Sequence, residues 1–485
     1  MQSLTNSKDM ALRQRAASVI PGGMWGHMAT RYLGSAYPQF FERADGCRVW
    51  DVDGREYVDL MCSWGPNVLG HHHPAVEAAA ERQRRLGDAM NGPGEVLVEL
   101  AELLVGTVAH ADWAMLQKNG TDATTACVTI ARAGTGRRKV LVARGSYHGA
   151  VPWCTPSLAG VTAEDRAHLI HFDYNDVASL EAAVEQAGND LAAIIVTAFR
   201  HDIARDQEMP TAAFARRARE LATAADAALI VDDVRAGFRI DLGGSWEPLG
   251  VRPDLSAFSK AIANGYPLAA ITGTDRFREA ATKIYVTGSF WYGAVSMAAA
   301  IATITALRDE DAIARMTRAG TRLRDGLDAA AKRHGVALRQ TGPVSMPMVL
   351  FDGDAEFKMA DAFCSAALRE GAYFHPPQHV PERGAHRKGH RHRPARGRRR
   401  HGRRRECGLN WRQRRGCLRS PAAQPAAETT RPFWAALRSS SGVTVPSFSF
   451  SRTFTSSRPP STMSCWMPLR TPFSSRARNA SRMSR

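Results

Sequence analysis

Two acidic residues and one lysine occupy positions where they could perform acid–base and nucleophilic chemistry. Asp232 and Asp233 follow an apolar segment at 229–231, and Lys260 follows a short apolar segment at 255–258. Side chains at the carboxyl end of a buried parallel strand lie at the ligand-binding edge of an open sheet. A lysine there is partly removed from water, which lowers its pKa and favours a nucleophilic amine. The sequence therefore predicts a carboxylate and a nucleophilic amine at two strand ends.

Two glycine-containing segments upstream could bind a phosphorylated aromatic ligand. Gly120 and Thr121, in the segment Lys-Asn-Gly-Thr-Asp-Ala, join a predicted strand to a predicted helix. Backbone N–H groups at a helix N-terminus bind phosphate. Tyr147, in Gly-Ser-Tyr-His-Gly, places an aromatic ring after the next strand. A phosphate cradle, an aromatic ring, a carboxylate and a lysine are the parts that hold pyridoxal phosphate (PLP).

The elements that must position these residues alternate between apolar runs and helical patterns from about residue 114 to residue 273. Strands that are apolar throughout and are separated by helices are typical of a mainly parallel sheet covered on both faces. We therefore expect an α/β fold. The predicted strands are Trp113–Gln117, Lys139–Ala143, Ala192–Thr197, Ala227–Asp232 and Leu268–Thr272, and the predicted helices are Thr121–Ala133, Val177–Gln186 and Thr211–Ala225.

A smaller α+β unit flanks this region. Residues 39–60 alternate apolar and polar positions around an Asp-Gly turn, which predicts a small antiparallel sheet. Beyond Trp291 the pattern predicts a long apolar helix, an amphipathic helix to His334, two strands and a last helix at 359–369. The predicted division is an N-terminal segment at 1–62 that contributes to the small domain, a large PLP-binding domain at 63–305, a truncated C-terminal small domain at 306–376 and a tail at 377–485.

In their order and spacing these motifs resemble the class III aminotransferases, above all the branch that contains glutamate-1-semialdehyde 2,1-aminomutase. The resemblance extends from about Ile20 to Pro376. It implies the fold-type I architecture of PLP enzymes, in which a large domain with a seven-stranded, mainly parallel sheet is joined to a small α+β domain. It also implies a PLP-dependent enzyme that transfers an amino group from an amine to a keto acceptor.

The resemblance assigns roles to four residues around the cofactor ring. Lys260 would hold PLP as an internal aldimine and then move the proton between the substrate carbon and the cofactor. Asp232 would pair with the pyridine nitrogen and keep it protonated. Val234 would pack on one face of the ring, and Tyr147 would stack on the other.

The resemblance also assigns residues to the cofactor phosphate. Gly120 and Thr121 would hold it within one subunit. Ser289 occupies the place where the family usually has a threonine that reaches the phosphate of the partner subunit. This last role implies a homodimer with shared active sites.

Substrate-contacting residues are harder to assign. Trp25 and Trp64 lie near cofactor motifs in the sequence and could either belong to the core or line the substrate cleft. Arg200, in Phe-Arg-His-Asp, could also line the site.

The chain departs from the aminomutase branch at two places. That branch has Ser-Pro-Val-Arg, whose arginine binds the substrate carboxylate, whereas this chain has Ala29 at the aligned position and Arg31 two residues later. Many members have Val-Glu-Pro where residues 196–198 are Val-Thr-Ala, which removes a carboxylate beside the cofactor. We therefore expect transamination of another amine, bulky or β-amino. The alternative is intramolecular amino transfer of the glutamate-1-semialdehyde aminomutase type.

The formal net charge of +17 is concentrated near the end of the chain. From Gly371 onward there are 25 Lys and Arg but 3 Asp and Glu, whereas the first 370 residues have a balance of −5. The arginine run at 391–400 would bind nucleic-acid phosphates without sequence specificity, and nothing upstream resembles a groove-reading module. We expect a disordered basic tail and no specific nucleic-acid partner.

Composition and short motifs exclude other classes of protein. Hydrophobic residues at 44% and charged residues at 23% are typical of a globular chain with a core. The longest apolar stretches are too short to span a membrane, and scattered cysteines without a Cys-x-x-Cys pair indicate a reduced, cytoplasmic protein. Adjacent histidines at 71–73 point in different directions on an extended segment, so we expect no metal site.

The family pattern stops after Pro376. Family members continue with a stretch like Met-Phe-Leu-Ser-x-Ala-His-Thr and a final helix. When the codons are read from their second base, residues 379–382 can encode Met-Phe-Leu-Ser, and residues 383–388 can encode Ala-Ala-His-Thr-Glu-Lys. One extra base at 376–377 would explain the change in composition. We therefore expect the residues after Pro376 to be out of frame, with the loss of the last strands and helix and a less stable small domain.

Overall fold

The computed structural model describes residues 7–30, 33, 37–201 and 205–375. The helices are α1 Ser7–Val19, α2 Pro74–Leu86, α3 Val96–Thr107, α4 Gly120–Thr135, α5 Val177–Ala187, α6 Ala212–Ala224, α7 Arg278–Lys283, α8 Ala294–Asp309, α9 Ala312–Arg333 and α10 Lys358–Arg369. The strands are β1 Phe41–Asp45, β2 Arg48–Asp51, β3 Glu56–Asp59, β4 Trp113–Gln117, β5 Lys139–Ala143, β6 Leu169–Phe172, β7 Leu191–Thr197, β8 Ala228–Asp232, β9 Leu255–Phe258, β10 Ala269–Gly273, β11 Leu338–Thr341, β12 Met348–Phe351 and β13 Ala372–Tyr373.

A seven-stranded sheet with the order β4-β10-β9-β8-β7-β5-β6 forms the centre of the fold. The pairs from β9 to β6 are parallel, whereas β10 runs antiparallel to both β9 and β4. The α/β fold with a mainly parallel sheet is therefore confirmed, with one strand reversed. Because β10 is antiparallel to two neighbours, β4 runs in the same direction as the other five strands.

The sheet is buried on both faces, which explains why its strands are apolar throughout. Successive side chains of a strand point to opposite faces. In β8, Leu229 and Val231 belong to the core shared with α5 and α6, whereas Ala228 and Ile230 belong to the core shared with α4. No helix in the part of the chain described here combines the length and hydropathy needed to cross a bilayer.

A second sheet joins the two ends of the described chain. Its order is β1-β2-β3-β13, and β1, β2 and β3 are antiparallel neighbours, as the alternation at 39–60 predicts. Strand β13 adds in parallel to β3, with Ala372 opposite Val58 and Tyr373 opposite Asp59. This pairing links the N-terminal segment to the residues near 376. The domain boundaries at residues 62, 305 and 376 stay a prediction. Strands β11 and β12 form a separate antiparallel pair.

Helix α1 is fixed to the start of β1 by a buried carboxylate. Asp9 is fully buried, and its Oδ1 accepts hydrogen bonds from the backbone N–H groups of Gln39 at 2.8 Å and Phe40 at 2.9 Å. Its Oδ2 accepts a hydrogen bond from Arg13 Nε at 2.6 Å. Helix α1 has no apolar stripe from which the sequence could predict it. The hydrogen bonds of Asp9 are therefore a polar anchor that attaches the helix to the start of β1.

Replacing the carboxylate in Asp9→Ala should lower the free energy of unfolding by about 3 kcal/mol, because it leaves two backbone donors without an acceptor and removes the ion pair with Arg13. The measurement is urea unfolding followed by circular dichroism. Lys8→Ala, an exposed neighbour in the same helix, is the matched control and should change little. An unchanged unfolding midpoint in Asp9→Ala would show that α1 does not depend on this anchor.

Candidate active site

Asp232 and Lys260 lie at the same edge of the large sheet. Asp232 is the last residue of β8, which pairs in parallel with β9. Asp232 is in register with Ala257, and the N–H of Asp233 donates to the carbonyl of Ala257 at 2.9 Å. Lys260 follows three residues after Ala257. The two predicted chemical groups therefore meet where two parallel strands end.

The surroundings of Lys260 favour its neutral amine. Burial lowers the pKa of Lys260 to about 8; the Asp232 carboxylate opposes this shift, and the positive charges of Arg235 and Arg239 add to it. The Lys260 backbone has φ +47°, a left-handed conformation that costs a residue with a side chain about 1–3 kcal/mol. Strain of this kind is often stored at functional sites.

His148 holds the Asp232 carboxylate in place. Asp232 Oδ2 lies 2.8 Å from His148 Nδ1, and Asp232 Oδ1 accepts a hydrogen bond from the N–H of Val234 at 3.1 Å. To donate to a carboxylate, the His148 ring must carry a proton on Nδ1. The ring is buried and stacks on Trp153, with centroids 6.1 Å apart. His148 belongs to the Gly-Ser-Tyr-His-Gly motif, and its place beside Tyr147 was the only sign in the sequence of its contact with Asp232.

The N-terminus of α4 has the small residues that a phosphate cradle needs. Asn119 caps its first turn, and the first N–H groups of a helix lack acceptors within that helix. A Cβ atom on Gly120 would lie 2.6 Å from Val234 Cγ1, so only glycine fits there. A Cβ atom on Gly149 would lie 2.5 Å from Thr121 Oγ1. Gly120 therefore packs against Val234, two residues after Asp232, and Thr121 packs against Gly149, next to His148. Small residues at a helix N-terminus beside a carboxylate fit a phosphorylated pyridine aldehyde.

Two predicted aromatic residues also lie at this edge of the sheet. Tyr147 follows β5 and is 44% exposed, so one side of its ring is open to a ligand. The Trp64 ring is half-buried and lies 4.7 Å from the His27 ring. A Cβ atom on the next residue, Gly65, would lie 3.9 Å from Lys260 Cδ, which places this turn next to the lysine.

The other predicted residues lie in different surroundings. Trp25 is 67% exposed, and Ser289 is exposed on the segment before α8. Arg200 Nη1 donates to Glu208 Oε1 at 2.7 Å, so an ion pair engages its guanidinium. The roles given to these three residues stay predictions. Arg31 and Asp202 lie outside the described residues.

The three adjacent histidines have separate partners. Their rings contact carboxylates on three different elements rather than converging on one point, and no group of three or more metal ligands occurs among the residues described. The contacts are His71 with Asp59 at 3.3 Å, His72 with Asp45 at 3.7 Å and His73 with Glu310 at 3.1 Å.

Comparison with known proteins identifies the family. The model of the family "Aminotransferase class-III" matches residues 32–379, more than half of the chain. The chain belongs to the class-III aminotransferases. The match between the family model and this aminotransferase ends three residues after Pro376, and the tail from residue 380 onward lies outside the match.

Individual relatives agree with this assignment. The aminotransferase is 49% identical over 386 residues to an aminopentol aminotransferase of Sphingopyxis macrogoltabida, a match that covers 80% of this chain and 91% of the relative. It is 35% identical to a glutamate-1-semialdehyde 2,1-aminomutase of Rhodopirellula baltica, over 68% of this chain and 78% of the relative. The FumI protein of Sphingopyxis sp. MTA144, solved as the PLP internal aldimine, has a TM-score of 0.76 and 49% identity, over 77% of this chain and 90% of FumI.

Several expectations are thereby confirmed. The protein is a PLP-dependent class-III aminotransferase with the fold-type I architecture. Its relatives include both aminotransferases and glutamate-1-semialdehyde aminomutases, so the family assignment agrees with the main expectation and with the alternative. The roles of individual site residues stay predictions.

Cofactor uptake by the PLP-free protein should depend on the protonation of Lys260. Because the neutral amine is the nucleophile and its pKa is lowered to about 8, the rate of covalent uptake should rise through pH 8. Between pH 6.5 and pH 9 the increase should be about 30-fold, which is the ratio of neutral fractions. Stopped-flow absorbance of added PLP measures the rate.

Lys260→Ala is the control for this experiment and should show no covalent uptake at any pH. A wild-type rate that keeps rising steeply above pH 10 would contradict the assignment, because it would indicate a lysine with its ordinary pKa.

Proposed function

We propose that this protein transfers the amino group of a bulky or β-amino amine to a keto acid in two half-reactions. One observation carries the proposal: Ala29, where the aminomutase branch has its carboxylate-binding arginine, is 2% exposed and supplies no cation. The relative named an aminopentol aminotransferase also matches at higher identity than the aminomutase relative, 49% against 35%. Both findings support an amine other than glutamate semialdehyde.

In the proposed reaction Lys260 and Asp232 work at opposite ends of the cofactor ring. Bound PLP supplies an electron-withdrawing ring that stabilises the negative charge left on the amine-bearing carbon when its proton is removed. Lys260 Nζ would hold the cofactor until the substrate amine displaces it, and the freed amine would then move the proton between the amine-bearing carbon of the substrate and the former aldehyde carbon of the cofactor. Asp232 keeps the ring nitrogen protonated, and His148 fixes the orientation of the Asp232 carboxylate.

Small and aromatic residues would orient the ring for these proton transfers. Gly120 and Thr121 bind the phosphate at the α4 N-terminus. Val234 and Tyr147 would pack on the two faces of the ring. With the ring fixed in this way, Lys260 Nζ stays within reach of the carbon that gains or loses the proton.

We propose a homodimer formed through the surface around Ser289. Tyr285 is 92% exposed and Phe290 is 68% exposed. Leu86 is exposed on the neighbouring segment, which the Asp88 carbonyl joins to the N-terminus of α8. Exposed apolar clusters of this kind are typical of protein interfaces. Light scattering should give twice the subunit mass, and Tyr285→Glu combined with Phe290→Glu should give a monomer.

We also propose a cytoplasmic location and a shifted reading frame after Pro376. The five cysteines of the described residues carry free thiols, which is typical of reducing compartments.

The end of the family match at residue 379 supports the frameshift. Sequencing the gene and its close relatives tests it, and an arginine-rich ending shared by those relatives would refute it.

The proposed reaction predicts amine exchange that requires a second substrate. Purified protein supplied with an aliphatic amine of the aminopentol kind and pyruvate should form a ketone and alanine, and omitting pyruvate should limit the reaction to one turnover. Chromatographic analysis of both products measures this. Sustained conversion of glutamate semialdehyde to aminolevulinate without an acceptor would instead support the aminomutase alternative.

A further inference from the structure

Two arginines that follow Asp232 have no acidic partner among the described residues. Arg235 Cζ lies 5.8 Å from the centroid of the Phe199 ring, and no hydrogen bond or ion pair engages the Arg235 side chain. Arg239 Nη2 donates to the carbonyl of Ser345 at 3.0 Å, while its Nε is buried without a partner. No acidic side chain in the described part of the chain neutralises either guanidinium.

These two cations are partly buried, and their desolvation is unfavourable unless an anion joins them. Burial lowers the pKa of Arg235 to about 10. It lowers the pKa of Arg239 to about 10 as well, and the neighbouring charge of Arg235 contributes to that shift. Desolvated charges are costly when unpaired, and guanidinium groups bind carboxylates through two parallel hydrogen bonds. The pair therefore has the chemistry of a site for an anion.

This anion site opens next to Lys260. A Cβ atom on Gly65 would lie 2.4 Å from Arg239 Nη1 and 3.9 Å from Lys260 Cδ, so both side chains border the same turn. On the other side, His201 lies with its ring 5.3 Å from the Phe199 ring and donates from Nδ1 to the Phe199 carbonyl at 3.0 Å. Burial, with the charges of Arg235 and Lys260, holds the pKa of His201 well below its usual value, so His201 stays neutral.

Strand β7, which pairs with β8, contributes no negative charge beside Asp232. Thr197 is the residue of β7 that pairs with Asp232. It is buried and carries no charge, and its Oγ1 has no hydrogen-bond partner among the described residues. A carboxylate at this position could neutralise an arginine in the site. Because threonine stands there, the arginines are left for a ligand.

We propose that Arg235, with Arg239 beside it, binds the carboxylate of the keto-acid acceptor and determines acceptor specificity in the second half-reaction. The inference rests on the proposed function, in which the acceptor carries a carboxylate next to its carbonyl. The cofactor phosphate is the other anion of the reaction, and the α4 N-terminus already provides for it. Arg235 is then a specificity-determining residue for one of the two half-reactions.

Binding of an unreactive carboxylate tests the site directly. Oxamate, an analogue of a short keto acid, should bind to the PLP-loaded protein by calorimetry, and Arg235→Met should weaken this binding about 30-fold, as expected for a charge-assisted hydrogen-bond pair. Arg235→Lys should retain part of the affinity. Arg144→Met, which removes an exposed arginine paired with Asp173, is the matched control and should bind as the wild type does. Unchanged oxamate binding in Arg235→Met would overturn the proposal.

The two half-reactions separate a specific role from a structural one. In Arg235→Met, conversion of the bound cofactor by amine alone should change less than about threefold, while the apparent KM for pyruvate in the return half-reaction should rise about 30-fold. An aldehyde acceptor without a carboxylate should react equally well with both proteins. Equal losses in both half-reactions, or a shift in the cofactor spectrum with unchanged oxamate affinity, would refute the assignment. If the wild type converts no amine, the proposed function fails while the oxamate result remains interpretable.

Discussion

The parallel pairing of β8 with β9 is the constraint on which the active site depends. The hydrogen bond from the N–H of Asp233 to the carbonyl of Ala257 sets the register of the two strand ends. A slip of one residue would turn Asp232 to the other face of the sheet, because side chains alternate along a strand. The register therefore determines that a carboxylate and an amine face one ligand.

The same edge collects the other candidate segments. Strands β4, β5, β7, β8 and β9 run in one direction, so their carboxyl ends lie together. The α4 N-terminus follows β4, the Tyr147 segment follows β5, the Phe199 segment follows β7, and Lys260 follows β9. Strand β10 is the reversed one, and the turn directly after it carries none of the residues assigned to the cofactor ring. Direction in the sheet thus decides which loops can contribute to chemistry.

The fold was largely predictable because its strands are apolar on both faces. The bounds of β4 and β5 agree with the predicted ones, and β8 and β10 differ by one residue at their ends. Contacts between distant segments could not be predicted from local patterns. The reversal of β10, the addition of β13 to β3 and the anchor of α1 at Asp9 all depend on such contacts.

Within the site, local pattern identified the residue types but not their pairing. Asp232, Lys260, Gly120 and Thr121 could be selected because each stands at a strand or helix boundary. The contact of His148 with Asp232 joins residues 84 positions apart and has no counterpart in local sequence. The ion pair of Arg200 with Glu208 likewise could not be seen from the segment that suggested a substrate contact.

The balance of charge in the site determines which side chain loses its proton and which ligands bind. Lys260, Arg235 and Arg239 are partly buried near the Asp232 carboxylate, so the described residues leave a positive excess there. The lysine can relieve this excess by losing its proton, which produces the nucleophile, whereas the arginines cannot at neutral pH. The remaining charge then favours anionic ligands beside a neutral amine. Under the proposed function, the same electrostatic preference that suits a phosphorylated cofactor would also suit a carboxylate-bearing acceptor.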